Sequence, residues 1–325
     1  MPEINFKQKK KYQYSIAPAI RAYLGGSFDP VHNGHLQMAL YVYQYLLPIA
    51  KQQQRALHVS LLPNARSPFK QNSTDPEHRL AMLKLATKDT PLQINELELW
   101  QTPPVYTIDS VQTLRARYPH DSLIFIMGMD SARSLEQWKD GLRLTDYVNL
   151  WVFDRSSLSD SDNTLFDNAL FNNTIFKTDN SFYDTDKNFN DKKIIPQDMA
   201  VLPAHLQSQL SAQLQHLTVS LATELLTPVA QYLTASHTLK STNQGHIYID
   251  SRPVAAVSST QIRQQLQQTK IRLNIMPLAE TQITSVPPIN DIISNTKPNP
   301  LAKWLNPAVY QYIIAHQLYS AAQFR

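Results

Sequence analysis

The residues best placed to do chemistry lie in a run of eleven, Gly25-Gly26-Ser27-Phe28-Asp29-Pro30-Val31-His32-Asn33-Gly34-His35. His32 and His35 are three apart, which puts both imidazoles on one face of a helix that begins near His32. An imidazole donates hydrogen bonds to phosphate oxygens and can carry charge near neutral pH. Glycines let backbone approach an anion because no Cβ intervenes, and the bare N–H groups at a helix start attract one. The chain has six glycines, at 25, 26, 34, 128, 141 and 245, and half of them sit in this run, more than a generic turn requires. Taken alone, H-x-G-H is also compatible with a glycine turn bearing two surface histidines. The longer run favours a phosphate over an apolar ligand.

Three further stretches have the residue types for a polyanionic ligand. In Ser258-Ser259-Thr260-Gln261-Ile262-Arg263, hydroxyls and N–H groups at a helix start can take phosphate oxygens, and Arg263, four after Ser259, adds a forked and permanently charged donor on the same face. A surface arginine beside a routine serine cap is the plainer alternative. Gly128-Met129-Asp130-Ser131 follows an apolar run, so Gly128 lets a sugar approach the backbone while Asp130 either accepts from hydroxyls or caps the next helix. Tyr106-Thr107 opens another helix whose N–H groups could take a carboxylate without any arginine, or Thr107 is a plain cap. Trp138 is expected in a helix with Ala132 and Leu135, where tryptophan is more often core than ligand contact.

Strands and helices must alternate to bring these stretches together. Ala22-Tyr23-Leu24 reads as a strand, Leu36 to Leu47 as a helix ended by Pro48, and Ala56 to Leu62 as a second strand, a βαβ unit that implies a parallel sheet. Asp75-Pro76 opens a helix from Glu77 to Lys88 with an acidic first turn. The alternating run Leu92 to Leu99 reads as a strand near an edge, and Thr107 to Tyr118 as a helix with Ile108, Val111 and Leu114 on one stripe. Leu123 to Gly128 and Val148 to Phe153 read as buried strands, His246 to Asp250 as the last. Val257 to Leu266 gives a capped helix, and Asn306-Pro307 caps a final one whose Val309, Ile313 and Leu318 should dock on the body. The pattern predicts a doubly wound, Rossmann-like α/β sheet with ligands beyond the carboxyl ends of its strands.

Segments 1–20 read as an N-terminal tail, 21–155 as the α/β core, 156–244 as an insertion and 245–325 as core continued around an irregular stretch at 270–303. The insertion is rich in Asn, Asp and Ser up to Asp198, too poor in periodic apolar residues to repay the entropy of ordering. Leu206 to Leu233 is expected to be helical, with Leu206, Leu210, Leu214 and Leu217 on a face that packs on the core or mediates self-association, which leaves a homo-oligomer open.

The totals exclude several classes. With 325 residues the chain can bury a sizeable core, and its 42% hydrophobic content fits a globular protein. Zero cysteines rule out disulfides, thiolate zinc sites and a cysteine nucleophile. The formal charge of +4 is modest and partly due to Lys7, Lys9, Lys10 and Lys11, without the aromatic platform of a nucleic-acid arm. Gln37, Gln44 and Pro48 interrupt the longest apolar stretch, and Pro18 and Arg21 break any leader-type apolar segment, so neither nucleic acid nor membrane is expected as a partner and the cytoplasm is the expected compartment.

Taken whole, the opening run resembles the G-G-x-F-D-P-x-H-x-G-H signature of the nucleotidyltransferase superfamily, in particular of nicotinate-nucleotide adenylyltransferases, and the serine-threonine-arginine run is similar to their S-x-T-x-x-R element. The resemblance covers roughly Ala22 to Arg155, Gly245 to Gln268 and the last helix. It implies an enzyme that transfers the adenylyl group of ATP to nicotinate mononucleotide, releasing pyrophosphate, with Mg2+ carried in on the nucleotide. It gives His32, His35 and Arg263 to the reacting phosphates, and Gly25, Gly26, Ser27, Lys70, Gly128, Asp130, Ser259 and Thr260 to ATP. Tyr106, Thr107 and Trp138 then go to nicotinate mononucleotide, and Arg155 stands where related enzymes have an arginine. Two departures weaken the likeness around Lys70, where Phe69 replaces the family's histidine and Ser67 a proline. Nicotinamide mononucleotide or phosphopantetheine as acceptor, or a regulatory module that binds nucleotide without turning it over, are the competing expectations.

Overall fold

The computed structural model describes residues 17–65, 73–154, 204–229, 231–233, 239–241, 243–275, 301 and 304–319. Strand β1 (Ile20–Gly26) leads into helix α1 (Asn33–Gln52), then β2 (Leu57–Pro63), α2 (Pro76–Thr87), β3 (Gln93–Ile94), α3 (Thr107–Arg117), β4 (Ser122–Gly128), α4 (Met129–Arg133) and β5 (Asn149–Phe153). After the 155–203 interval come two one-turn helices at Ala204–Gln207 and Ala212–Gln215, strand β6 (Thr218–Val219), a two-stranded ribbon of β7 (Gln231–Leu233) and β8 (Leu239–Ser241), and β9 (Ile247–Asp250). Helices Ser259–Ile275 and Pro307–Ala315 complete the described chain.

The seven strands pair in the order β3-β2-β1-β4-β5-β9-β6, every pair parallel, as the alternating pattern predicts. β1 lies between β2 and β4, so the chain winds outward on one side of it and returns to wind outward on the other. That reversal opens a crevice beyond the carboxyl ends of β1 and β4. Both strands are buried on both faces: Ala22, Leu24, Ile124 and Ile126 pack toward α1 and the C-terminal helix, whereas Tyr23, Phe125 and Met127 pack toward α3 and the 206–217 stretch.

Several local expectations change. α1 runs through Pro48 to Gln52, because burial of Leu46 and Ala50 on either side offsets the lost backbone bond. β3 is only two residues long at the sheet edge; the Asn95 side chain accepts from the Leu97 N–H at 3.0 Å, an Asx turn that leads the chain out of the sheet before Leu99. The expected helix from Leu206 to Leu233 is instead two single turns, strand β6, a short 3-10 turn at Ala222–Leu226 and strand β7. Glutamines accompany the break: Gln207 Nε2 donates to the Gln215 carbonyl and to Thr218 Oγ1, both at 2.8 Å, and Gln215 Nε2 to the Leu210 carbonyl at 3.0 Å, so two backbone carbonyls are taken by side chains. Leu206, Leu210, Leu214 and Leu217 are nevertheless all buried together, and β6 becomes the sheet's last strand. Helix Ser259–Ile275 runs beyond residue 270, where irregular chain is expected. No helix among the described residues is long and apolar enough to cross a membrane.

The final helix begins as expected, with Asn306 Oδ1 accepting from the Ala308 N–H at 2.9 Å and with Val309 and Ile313 buried. Replacing Asn306 by Ala leaves that N–H without its cap and should cost about 1 kcal/mol. The expected readout is a melting temperature lower by about 2–4 °C; an unchanged one would mean that the cap contributes nothing to docking of this helix.

Candidate functional site

A cleft of about 240 Å³ lies in the crevice between β1 and β4. Its lining includes Gly25, Gly26, Ser27, His32 and His35 from the first run, Gly128 and Asp130 from the end of β4, and Ser258, Ser259 and Thr260 from the start of the Ser259–Ile275 helix. Three segments distant in sequence thus meet at the switch point of the sheet.

His32 is the N-cap residue of α1 and His35 stands one turn in. Their rings stack with centroids 3.7 Å apart, and Phe28 meets the His35 ring edge-on at 4.9 Å. The His32 backbone N–H donates to His35 Nδ1 at 3.3 Å, so the proton of the neutral His35 ring sits on Nε2, where it can be donated to a ligand oxygen. Among the described residues lining the cleft, Asp130 is the one carboxylate. It is exposed, and the N-cap of α4 is Gly128 with no side-chain cap bond, so the hydroxyl-accepting alternative is open to Asp130 and the capping one is not.

Hydrogen bonds lock the third segment onto the first. Ser259 Oγ donates to the Pro30 carbonyl at 2.9 Å, and Arg263 donates to the Asp29 carbonyl at 2.6 Å and to Thr260 Oγ1 at 3.1 Å. Arg263 therefore reaches the bend from behind: it is not among the lining residues, although its Nη2 stands one hydrogen bond from Thr260, which is. Ser258 caps the helix reciprocally, its N–H donating to Gln261 Oε1 at 2.8 Å while its Oγ accepts from the Gln261 N–H at 3.2 Å. Gln37 ties the preceding loop to α1 by accepting from the Ala255 N–H at 2.8 Å.

The glycines act mainly through packing. A Cβ on Gly25 would run into the Phe125 ring of β4, and one on Gly34 would lie 2.9 Å from the Ala255 carbonyl oxygen. No glycine has a positive φ; the bend itself is made by Phe28, at φ 47°, and a cis Asp29–Pro30 peptide.

Arg79, which the sequence does not mark as functional, holds the bend from below. Fully buried at 0% exposure, it donates to the carbonyls of Ser27 at 3.0 Å, Asn64 at 2.7 Å and Thr74 at 3.1 Å, and also to that of Ala65. Burial lowers its pKa and the nearby Asp29 charge works the other way. A signal was present: Arg79 occupies the first place of the stripe Arg79, Met82, Leu83, Ala86, whose members are all buried.

The residues assigned to a pyridine nucleotide lie apart from this cleft. Tyr106 is the N-cap residue of α3 and Thr107 its first residue, and neither lines the cleft. Trp138 is not helical: a 3-10 turn at Leu135–Gln137 ends at it, and its Nε1 donates to Ser134 Oγ at 3.2 Å. The two places are neighbours, because Lys139 lies 4.6 Å from the Tyr106 ring centroid and 3.3 Å from the Asp109 carboxylate. Lys70 and Arg155 fall outside the described residues.

With this geometry in place, comparison with known proteins gives a consistent picture. A profile described as cytidylyltransferase-like matches residues 23–265. The chain belongs to the cytidylyltransferase-like family. Among curated relatives, it is 41% identical over 133 residues to the nicotinate-nucleotide adenylyltransferase of Bacillus subtilis, covering 40% of this chain and 64% of that one. It is 36% identical over 141 residues to a probable nicotinate-nucleotide adenylyltransferase of Idiomarina loihiensis, covering 43% and 64% respectively. The matched part thus spans less than two thirds of these relatives. A solved structure of Plasmodium falciparum nicotinic acid mononucleotide adenylyltransferase complexed with NaAD shares the fold, with a TM-score of 0.50 at 14% identity over 93% of this chain and 97% of that one. The family's Rossmann-like sheet is the seven-stranded one described above.

A Cβ added at Gly34 would lie 2.9 Å from the Ala255 carbonyl oxygen, in the loop that leads to the third segment. Gly34→Ala must push the Ala255 loop away from α1 and should weaken binding of tripolyphosphate about 5- to 10-fold, at a stability cost of about 1–3 kcal/mol. Calorimetric titration checks this, and unaltered affinity would show that the two segments bind independently.

Proposed function

We propose that the chain catalyses adenylyl transfer from ATP to nicotinate mononucleotide, giving nicotinate adenine dinucleotide and pyrophosphate, as a step of NAD biosynthesis in the cytoplasm. The observation that carries this reading is the meeting of the stacked His32–His35 pair with Ser259 and Thr260 in one cleft at the sheet's switch point. The acceptor's 5′-phosphate attacks the α-phosphorus of ATP in line, pyrophosphate leaves, and no covalent intermediate with the protein forms. Such a transfer needs alignment and neutralisation of charge on the equatorial oxygens.

His35 Nε2–H and His32 donate to the α-phosphoryl oxygens, while the helix start at Ser259 and Thr260 takes the β- and γ-phosphates, with Arg263 charge behind them. Gly25 and Gly26 belong to the cleft wall beside Ser27, and Gly128 and Asp130 would face the ribose. Lys70 is assigned to the polyphosphate by resemblance alone. With one carboxylate among the described lining residues, magnesium would be held chiefly by the nucleotide's own oxygens and by water. It would supply charge neutralisation on the leaving pyrophosphate.

The acceptor ring is assigned to the region where Trp138, Tyr106 and Thr107 adjoin. The N–H groups at the start of α3 would favour a carboxylate over a carboxamide. The names of the relatives support the same acceptor.

A panel of nicotinate mononucleotide, nicotinamide mononucleotide and phosphopantetheine, each with ATP and magnesium, should release pyrophosphate fastest with the first. Fastest release with phosphopantetheine would overturn the assignment of acceptor, and ATP binding with no product from any of them would favour a non-catalytic module. His35→Ala should lower kcat by about 10²–10³-fold, the loss typical of removing one transition-state donor, with the circular dichroism spectrum unchanged. Near-normal turnover would end the assigned role of the imidazole.

A further inference from the structure

Tyr319 stands 290 residues after Asp29 in the chain, yet its hydroxyl donates to Asp29 Oδ1 at 2.8 Å. Tyr319 is 0% exposed and Asp29 1%. Beyond the Pro307–Ala315 helix two residues adopt the left-handed region, Gln317 at φ 53° and Tyr319 at φ 59°. They turn the chain so that Leu318 and Tyr319 enter the core, while the Leu318 N–H still donates to the Ile313 carbonyl at 3.0 Å. A bulky residue holds such a backbone only where its surroundings over-determine it.

Asp29 is where those surroundings converge. Its Oδ2 accepts from the Thr74 N–H at 3.2 Å, its carbonyl accepts from Arg263 at 2.6 Å, and its Oδ1 takes the Tyr319 hydroxyl. It lies three residues before His32 and six before His35. Burial first, and the Asp29 charge next, raise the Tyr319 pKa well above its ordinary value of 10.0, so the hydroxyl remains a donor at working pH.

We propose that Tyr319 is a positioning residue for the reaction: through Asp29 it fixes the bend that aims His32 and His35 at the phosphate, and so makes the C-terminal turn part of the support of the active site. The proposal rests on the adenylyl-transfer reading above. Loss of the hydroxyl leaves a buried carboxylate oxygen short of one donor while the ring still fills its place. The bend can then rotate to find another donor, and small errors of aim in an in-line displacement are costly in rate.

The test is Tyr319→Phe, which keeps every ring atom. The expected result is a kcat lower by about 10-fold or more with the KM for nicotinate mononucleotide, seated at α3, within about twofold of wild type. Asp29→Asn and the double variant complete a cycle, in which the double variant should lose no more than the worse single, because both changes act on one bond. A purely structural role predicts a lower melting temperature with kcat of the folded enzyme unchanged, and that result, or full additivity in the cycle, overturns the proposal. If the wild-type chain itself releases no pyrophosphate, the functional reading has failed. Calorimetric ATP binding then decides the positioning role: about fivefold weakening by Tyr319→Phe supports it, and no change rejects it.

Discussion

The bend between β1 and α1 is held by two buried charged side chains, Arg79 and Asp29, each fixed by its own hydrogen bonds, and the site depends on them. Arg79 supplies a fully buried guanidinium that bonds the carbonyls of Ser27, Asn64 and Thr74, and Asp29 is a buried carboxylate of the same bend. Burying a charged group without partners costs several kcal/mol. Here each is surrounded by fixed hydrogen-bond partners, and those partners belong to the β1–α1 bend, the loop after β2, the Ser259–Ile275 helix and the C-terminal turn. Side chains so placed act less as a source of net stability than as a clamp that admits one arrangement of these segments. An unusual bend, with Phe28 at φ 47°, can persist because the clamp leaves it no alternative.

The clamp explains why the glycines matter in a way that differs from the simplest reading of the signature. Gly25 is needed because the Phe125 ring occupies the place of a Cβ, and Gly34 because the Ala255 carbonyl does. Both bring protein to protein. The cleft proposed to take phosphate is then what remains between close-packed backbones, with the two imidazoles in its lining. Close joints also carry information across the fold: Gln37, Ser259 and Arg263 fasten the start of the Ser259–Ile275 helix to α1 and its bend, so that both ends of a polyphosphate would be read by one rigid body.

Much of this was legible in the sequence wherever local chemistry and burial agreed. The continuous apolar runs became β4 and β5, the alternating run fell at the edge, and the run from Gly25 to His35 and that from Ser258 met as their composition suggested. Legibility ended where side chains substitute for backbone. The leucines at 206, 210, 214 and 217 have helical spacing and are buried as expected, but the chain there forms single turns, and Gln207 and Gln215 side chains take two of its carbonyls. Buried charges were marked only by their places on such stripes, and their role was hidden for a related reason. Arg79, and Arg115 on α3, sit on apolar stripes where a charge looks like an error, and only the tertiary fold shows the carbonyls that they satisfy. The Asp29–Tyr319 bond, joining residues 290 positions apart, left no periodic trace at all.

The two ends of the proposed reaction are built differently, and that difference bears on how specificity could change in this family. The nucleotide end lies over the central strands and is held from below by the buried side chains of Arg79 and Asp29. The region assigned to the acceptor is framed by the start of α3 and the turn at Trp138, whose closest charged link is the exposed contact of Lys139 with Asp109 and the Tyr106 ring. An exposed pair of this kind is worth only about 0–1 kcal/mol. Substitutions there can retune the choice of acceptor at little cost to the fold, whereas changes around Asp29 and Arg79 disturb the fold and the chemistry together. A scaffold with one rigid and one permissive end can keep its phosphate chemistry constant while the molecule offered to it varies.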